Sequence, residues 1–314
     1  MSWSVQETSA RTTLLVAIIC PPDSSRSHSI PSHPSYIKQP PSAHQTPIMR
    51  SRTAIYVLTL ICLTTALSST LSGTFDADQG NLQLPIKAAA LDPSCAPGGN
   101  FDLSYWELQL PVGKPDVISS ARLQECWGYQ NASYFFTDQS DGTMVMIVPA
   151  KSDGCVTTPD SEHCRTELRE VDPSSGKLIS WDPNSSPNRL NVTLSVTTPD
   201  DSLYGTVIGQ IHIDGIKPVC ELYYNSTGHI NMGVERSEEG GQTHTPIGFV
   251  EVGTMFSYQI KYEGNVLSIS YNGGEPKVLD TNDLDAPPSY FKVGNYNQGN
   301  SASDVRFYSI VVTH

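Results

Sequence analysis

Three short stretches hold the side chains best placed to do chemistry. In Gly209-Gln210-Ile211-His212-Ile213 an amide and an imidazole stand two residues apart. An extended strand puts Gln210 and His212 on one exposed face and turns Ile211 and Ile213 into a core. Side by side, such a pair can hold a ligand and deprotonate it. The same period of two groups Arg165, Glu167 and Arg169 in Arg165-Thr166-Glu167-Leu168-Arg169, and Tyr290, Lys292, Tyr296 and Gln298 in the run from Tyr290 to Gln298. Apolar Leu168, Phe291 and Val293 then point the other way. If the three strands are neighbours in one sheet, their shared polar face is a candidate active site.

Each stretch also has a plainer reading. Arg165, Glu167 and Arg169 suit a solvated charge ladder across strands. His212 alone suits a satisfied surface or core histidine, and Tyr290 and Tyr296 suit rim aromatics. These readings weaken jointly, because each has to hold on three strands at once.

The elements around these stretches are short strands. Alternation marks Trp106 to Leu110, Ser133 to Thr137, Thr143 to Val148, Leu190 to Val196, Val207 to Ile213, Val219 to Tyr224 and His229 to Val234. Further on it marks Phe256 to Tyr262, Val266 to Tyr271, Pro276 to Leu279, Tyr290 to Tyr296 and Val305 to Val312. Asn225-Ser226-Thr227-Gly228, Glu263-Gly264-Asn265 and Asn272-Gly273-Gly274 supply hairpin turns. Helical periodicity never lasts beyond a turn or two. Many short strands with turn residues between them predict an all-β fold, a sandwich or jelly roll of two curved antiparallel sheets with a groove on its concave polar face. The loop Gly240 to His244 has the composition of a mobile lid.

The chain has 314 residues, and this β pattern starts near Asp92. Residues 1–48 are rich in Ser, Pro and His and read as an upstream extension; the apolar run from Leu14 to Cys20 is too short to span a bilayer. A second beginning follows at Met49: a basic Met49-Arg50-Ser51-Arg52, an apolar stretch from Ala54 to Leu67, and small residues at Ala66, Ser68 and Ser69. That layout predicts a secretory signal peptide over 49–72, cleaved in the mature protein. Residues 73–91 read as a linker or propeptide, and 92–314 as one domain large enough for a single core.

Downstream of the signal lie four Asn-x-Ser/Thr sequons, at Asn131, Asn184, Asn191 and Asn225, consistent with a secreted glycoprotein. Five cysteines lie there too. Cys155 with Cys164 and Cys95 with Cys126 are the candidate disulfides, leaving Cys220 free. There is no CxxC pair, which argues against a structural zinc site. The formal net charge is −13; residues up to Ser72 carry five basic and two acidic side chains, so the remainder carries −16. So acidic a body repels nucleic acid and anionic membrane. An anionic ligand would need a local positive cluster, and Arg165, Arg169 and Lys292 provide one.

At this point the motifs carry a resemblance. Arg-Thr-Glu-Leu-Arg at 165–169, Gln-Ile-His at 210–212 and Tyr-Phe-Lys-Val-Gly-Asn-Tyr-Asn-Gln at 290–298 resemble, in order, the signature strands of the alginate lyases of polysaccharide lyase family 7. Trp106 to Gly113 resembles that family's opening strand, and the similarity runs from about Asp92 to the C-terminus. The one departure is Val293, where the family often has Ala, at an inward position. The resemblance implies a β-jelly roll that cleaves polyuronate chains by elimination. By motif position it implies that Arg165 and Gln210 hold the uronate carboxylate, that His212 is a base, and that Tyr296 is the acid or the combined acid and base. Glu167, Arg169, Lys292, Tyr290 and Gln298 would support or bind substrate.

The residue types suit that chemistry on their own terms. A proton next to a carboxylate is hard to remove because the adjacent negative charge opposes an enolate. A guanidinium and an amide can neutralise and hydrogen-bond that carboxylate as charge develops. A histidine of ordinary pKa, about 6.5, offers a neutral base, and a tyrosine, at about 10, a proton for the leaving oxygen. This scheme requires no metal or organic cofactor. The expected partner is an acidic polysaccharide, alginate or a related polyuronate such as glucuronan, with no nucleic acid, no membrane after signal cleavage, and a monomeric enzyme. A lectin-like jelly roll would use the same groove without needing a base. A glycoside hydrolase needs two carboxyls flanking the bond, about 5 to 9.5 Å apart, and Glu167 and Glu170 fall on opposite faces of a strand.

Overall fold

A computed structural model describes residues 90–158, 161–213, 215 and 217–314. The expected upstream extension, the signal peptide and the linker through residue 89 lie outside the described residues. Among these, the chain forms β1 (Trp106–Gln109), β2 (Val117–Ile118), β3 (Phe135–Thr137), β4 (Met144–Val148), β5 (Arg165–Glu170), β6 (Arg189–Thr198), β7 (Thr206–Ile213) and β8 (Pro218–Tyr224). It continues through β9 (His229–Glu235), β10 (Gln242–Phe249), β11 (Phe256–Glu263), β12 (Val266–Tyr271), β13 (Lys277–Leu279), β14 (Ser289–Tyr296) and β15 (Ser303–Thr313). The only α-helices among the described residues are single turns at Pro97–Asn100 and Ser120–Leu123. No helix there is long and apolar enough to cross a membrane.

Two antiparallel sheets make the all-β jelly roll the sequence predicts. One has the order β10-β9-β8-β7-β14-β5-β1-β2, the other β13-β12-β11-β6-β15-β4-β3. Their facing surfaces share one core, in which Leu168, Ile211, Ile213, Phe291 and Val293 of the first sheet join Leu190, Val192, Leu194, Ile260 and Phe307 of the second. Period-two alternation causes this: each inward apolar residue fixes its neighbours on the opposite face. A smaller cluster of Val207, Tyr223 and Tyr296, with Tyr204 against it, forms separately from that core.

Local chemistry sets the connections. Gly264 and Asn265 both have positive φ, +56° and +57°, between the paired β11 and β12, the conformation of the tightest hairpin turns. Gly294 on β14 is required by close approach. A Cβ there would stand 2.6 Å from the Thr166 carbonyl oxygen and 2.7 Å from the Glu167 Cα.

Both candidate disulfides form, Cys95 with Cys126 and Cys155 with Cys164. Cys220 is free and buried, and burial pushes its thiol up to about 12. Of the sequon asparagines, Asn184 is exposed and Asn131 and Asn225 are half-buried. Asn191 lies within β6, where its amide oxygen accepts a hydrogen bond from Gln259.

One sequence expectation is corrected. The Gly240 to His244 stretch is not a lid, since β10 begins at Gln242 and pairs along β9 from Gln242↔Glu235 to Phe249↔His229. Pro246 and Gly248 hid it. An edge strand tolerates both, and a register shift falls between them. At the C-terminus, His314 Nε2 meets the buried Glu170 carboxylate and its Nδ1 the Asn188 amide. Glu170 also accepts hydrogen bonds from the Trp181 indole and the Phe291 backbone.

Candidate active site

The three chemical strands are adjacent, with β14 between β5 and β7. Tyr296 lies opposite Arg165, Gly294 opposite Glu167, and Lys292 opposite both Arg169 and Gln210. Tyr290 lies opposite His212. Because Gly294 has no side chain, the Glu167 carboxylate has room at the middle of this face. Glu167 and Gln210 are each only 1% exposed, and Arg165 and Lys292 are nearly as buried. The face is therefore not the solvated ladder of the plainer reading.

Glu167 organises the middle. Its carboxylate pairs with Arg165 Nη1 at 3.1 Å and Lys292 Nζ at 2.5 Å, and accepts a hydrogen bond from the Gln210 amide. Burial alone would raise this carboxyl, but Lys292 and Arg165 together hold it below its usual range. Burial pushes the Lys292 ammonium down to about 8, with Glu167 opposing and Arg165 adding. With its oxygens so engaged, Glu167 sits beneath the groove and orients the cations around it.

Tyr296 and His212 flank this cluster on neighbouring strands, Tyr296 opposite Arg165 and His212 opposite Tyr290. The Arg165 guanidinium lies 3.6 Å from the Tyr296 ring centre, and the Ser161 hydroxyl lies 3.1 Å from its phenol oxygen. Burial raises the phenol above its ordinary value while Arg165 and Ser161 pull it back. The backbone on either side of Tyr296 is fixed. Asn295 points inward, donating to the Met146 carbonyl and accepting from Thr206 and Ser303, and Asn297 donates to the Ser301 carbonyl. On β7, the His212 ring stacks on Tyr290, over which Arg169 lies at 4.2 Å. His212 Nδ1 lies 2.7 Å from the Ile213 carbonyl oxygen, which can only accept. The proton is therefore on Nδ1, and Nε2 carries the lone pair. Burial, with Lys292 adding to it, pushes His212 down to about 4.

Several donors are left over. Arg165 Nε and Gln298 Nε2 are buried with no protein partner, and such atoms are costly unless a ligand or water meets them. His163, in the loop that the Cys155–Cys164 bridge closes, makes a T-shaped ring contact with Tyr296, centroids 6.0 Å apart.

The same face continues onto strands that gave no motif. Glu221 lies opposite Gln210 and Tyr223 opposite Val207. The Tyr223 hydroxyl and the Gln242 amide both reach the Glu221 carboxylate, and Tyr204 stacks on His244 with centroids 3.6 Å apart. Alternation along Cys220-Glu221-Leu222-Tyr223 held a signal for Glu221 and Tyr223. Ser161 and Tyr204 gave none, since loop residues have no period. Among the described residues no three His, Cys, Asp or Glu side chains are grouped as metal ligands.

Comparison with known proteins adds to this geometry. The alginate lyase family model matches residues 101–314. An alginate lyase of Klebsiella pneumoniae is 28% identical over 310 residues, covering 77% of this chain and 98% of that protein. Among solved structures, alginate lyase A1-II′, a member of polysaccharide lyase family 7, superposes with a TM-score of 0.61 at 30% identity, covering 70% of this chain and 98% of that one. An alginate lyase from Pseudomonas aeruginosa superposes with a TM-score of 0.58 at 28% identity, covering 68% and 99%. With a match spanning most of its length, and with the motif strands side by side on one buried polar face, the chain belongs to polysaccharide lyase family 7, the alginate lyases.

Proposed function

We propose that this protein is a secreted, monomeric enzyme that cleaves alginate by β-elimination, leaving an unsaturated uronate at the new chain end. One observation carries the reading: an acidic protein buries Arg165 and Lys292 together on one sheet face that also carries a tyrosine phenol and a neutral imidazole. A buried positive cluster with unspent donors suits an anionic sugar. Variants of the relative alginate lyase A1-II′ have been crystallised with a substrate, GGMG, and with a product, GGG. Secretion is supported by the signal-like stretch at 49–72, the two disulfides and the sequons.

In the proposed reaction Arg165 and Gln210 hold the uronate carboxylate and stabilise the charge that grows on it. His212 Nε2 takes the proton from the carbon beside that carboxylate. The freed electron pair forms the carbon–carbon double bond as the bond to the leaving sugar oxygen breaks. Tyr296 gives its proton to that oxygen and becomes a phenolate, facing the Arg165 guanidinium. Solvent then returns one proton to Tyr296 and removes one from His212. Glu167 keeps Arg165, Lys292 and Gln210 in place, while Arg169, Tyr290 and Gln298 line the sugar-binding groove.

The test is ultraviolet absorbance of the purified domain with alginate, polyguluronate, polymannuronate and glucuronan. A conjugated double bond appearing on alginate supports the proposal. Binding without any rise on a polyuronate points instead to a lectin, and a rise on glucuronan alone reassigns the substrate.

A further inference from the structure

Ser161 lies outside every motif, yet its hydroxyl is placed between Tyr296 and Arg165. Ser161 Oγ lies 3.1 Å from the Tyr296 phenol oxygen, 3.1 Å from Arg165 Nη2 and 3.1 Å from the His163 backbone nitrogen, with the His163 carbonyl oxygen at 3.3 Å. A serine hydroxyl has one proton to give and two lone pairs to receive. The Arg165 and His163 nitrogens can only donate, so they occupy both lone pairs. Tyr296 is thereby excluded as a donor to Ser161. The single Ser161 proton goes to the Tyr296 oxygen or, over a longer path, to the His163 carbonyl.

We infer that Ser161 is a positioning residue for the elimination, donating to the Tyr296 oxygen so that the phenol's own proton stays directed at the leaving sugar oxygen. This rests on the proposed role of Tyr296 as the acid. When the Tyr296 O–H bond breaks and its proton passes to the leaving oxygen, the electron pair stays on the phenol oxygen. Ser161 then faces that oxygen with a hydrogen bond already formed, and Arg165 faces the ring. Donors aimed in advance at developing charge cost no reorganisation during the reaction. The Cys155–Cys164 bridge holds the donor in place: Ser161 lies inside the loop it closes, and the Ser161 backbone nitrogen donates to the Thr158 carbonyl. A lone loop serine would otherwise be free to rotate away.

The test compares Ser161→Ala, Ser161→Thr and Tyr296→Phe with the unaltered protein, by steady-state kinetics on alginate across pH and by ultraviolet titration of tyrosinate. The Tyr296 titration is taken as the difference between each protein and its Tyr296→Phe counterpart. Ser161→Ala is expected to lower kcat about tenfold or more with KM little changed, on the scale of losing one charge-stabilising donor. It also moves the Tyr296 titration and the alkaline limb of kcat to higher pH, because the phenolate loses a donor. Ser161→Thr, which keeps the hydroxyl, restores most of both. The titration reads the folded protein independently of turnover, so a purely structural defect does not imitate it. If Ser161→Ala leaves kcat and the Tyr296 titration unchanged while Tyr296→Phe is inactive, the inference on Ser161 is overturned and the role of Tyr296 stands. If Tyr296→Phe turns over like the unaltered protein, the role of Tyr296 falls, and this inference with it.

Discussion

The Arg165 guanidinium lies against the face of the Tyr296 ring, 3.6 Å from its centre, directly across the β5–β14 ladder. One guanidinium thus lies over the phenol ring, reaches Glu167 and Ser161 with its Nη atoms, and leaves Nε without a protein partner. A lysine has the charge but neither the plane nor the fork. Arg165→Lys is therefore expected to lower kcat/KM by about 10²-fold or more, as loss of a charge-stabilising donor does. Activity within a few-fold of the unaltered enzyme would show that charge alone suffices.

Glu167 is the common partner of Arg165, Lys292 and Gln210. Removing one member of a buried ionic group leaves the others uncompensated, so Glu167→Gln is expected to cost about 3–5 kcal/mol of stability. Urea unfolding measures this directly. The same change should move Lys292 further below its value of about 8, because the carboxylate that opposes its loss of a proton is gone. Unchanged stability would mean that water already screens the cluster.

Gly294 lets β14 approach β5. A Cβ there meets backbone atoms of Thr166 and Glu167 within 2.7 Å, and backbone in mid-sheet does not yield easily. Gly294→Ala is expected to destabilise the fold by about 1–3 kcal/mol, the usual cost of overpacking. It should also lower activity, since the Glu167 carboxylate lies directly opposite. A thermal melt beside an activity assay checks both.

His212 is held at about 4 by burial and by Lys292. Its neutral form, the one able to accept a proton, is thus present through the mildly acidic range. The acid limb of kcat/KM is expected near pH 4, not near the ordinary histidine value of about 6.5. The sign for stability follows from the same depression. Between pH 6.5 and 4 the unfolded chain binds a proton that the folded chain does not, so stability falls as pH drops through that window and levels off below it. On the alkaline side, loss of the Lys292 proton near 8 is expected to weaken substrate binding, seen as a rising KM. An acid limb near 6.5 would mean that another group accepts the proton.

The parts of this molecule that were legible in the sequence are those governed by period two. Gln210 with His212, and Tyr290, Lys292 and Tyr296, lie on one face because Ile211, Phe291 and Val293 are claimed by the core. Their adjacency followed from requiring three polar faces to share one sheet. Contacts made between distant segments were not legible. Ser161 meets Tyr296 across 135 residues, and His314 meets Glu170 across 144. No local pattern records such a meeting. β10 was missed because Pro246 and Gly248 are penalised by local propensity, whereas an edge strand accepts both. The burial of Glu167 was not legible either, since it depends on the Lys292 and Gln210 partners that two other strands bring to it.

The most direct measurement follows ultraviolet absorbance during incubation of the protein, from Asp92 onward, with alginate, beside His212→Ala and Tyr296→Phe variants confirmed to be folded. Elimination predicts a steady rise from the new conjugated double bond in the unaltered protein, and a fall of at least about 10²-fold in rate in each variant. No rise from the unaltered protein on alginate or any related polyuronate, with binding still measurable, would contradict the proposed chemistry. An undiminished rise in both variants would leave the activity intact and take the proton transfers away from His212 and Tyr296.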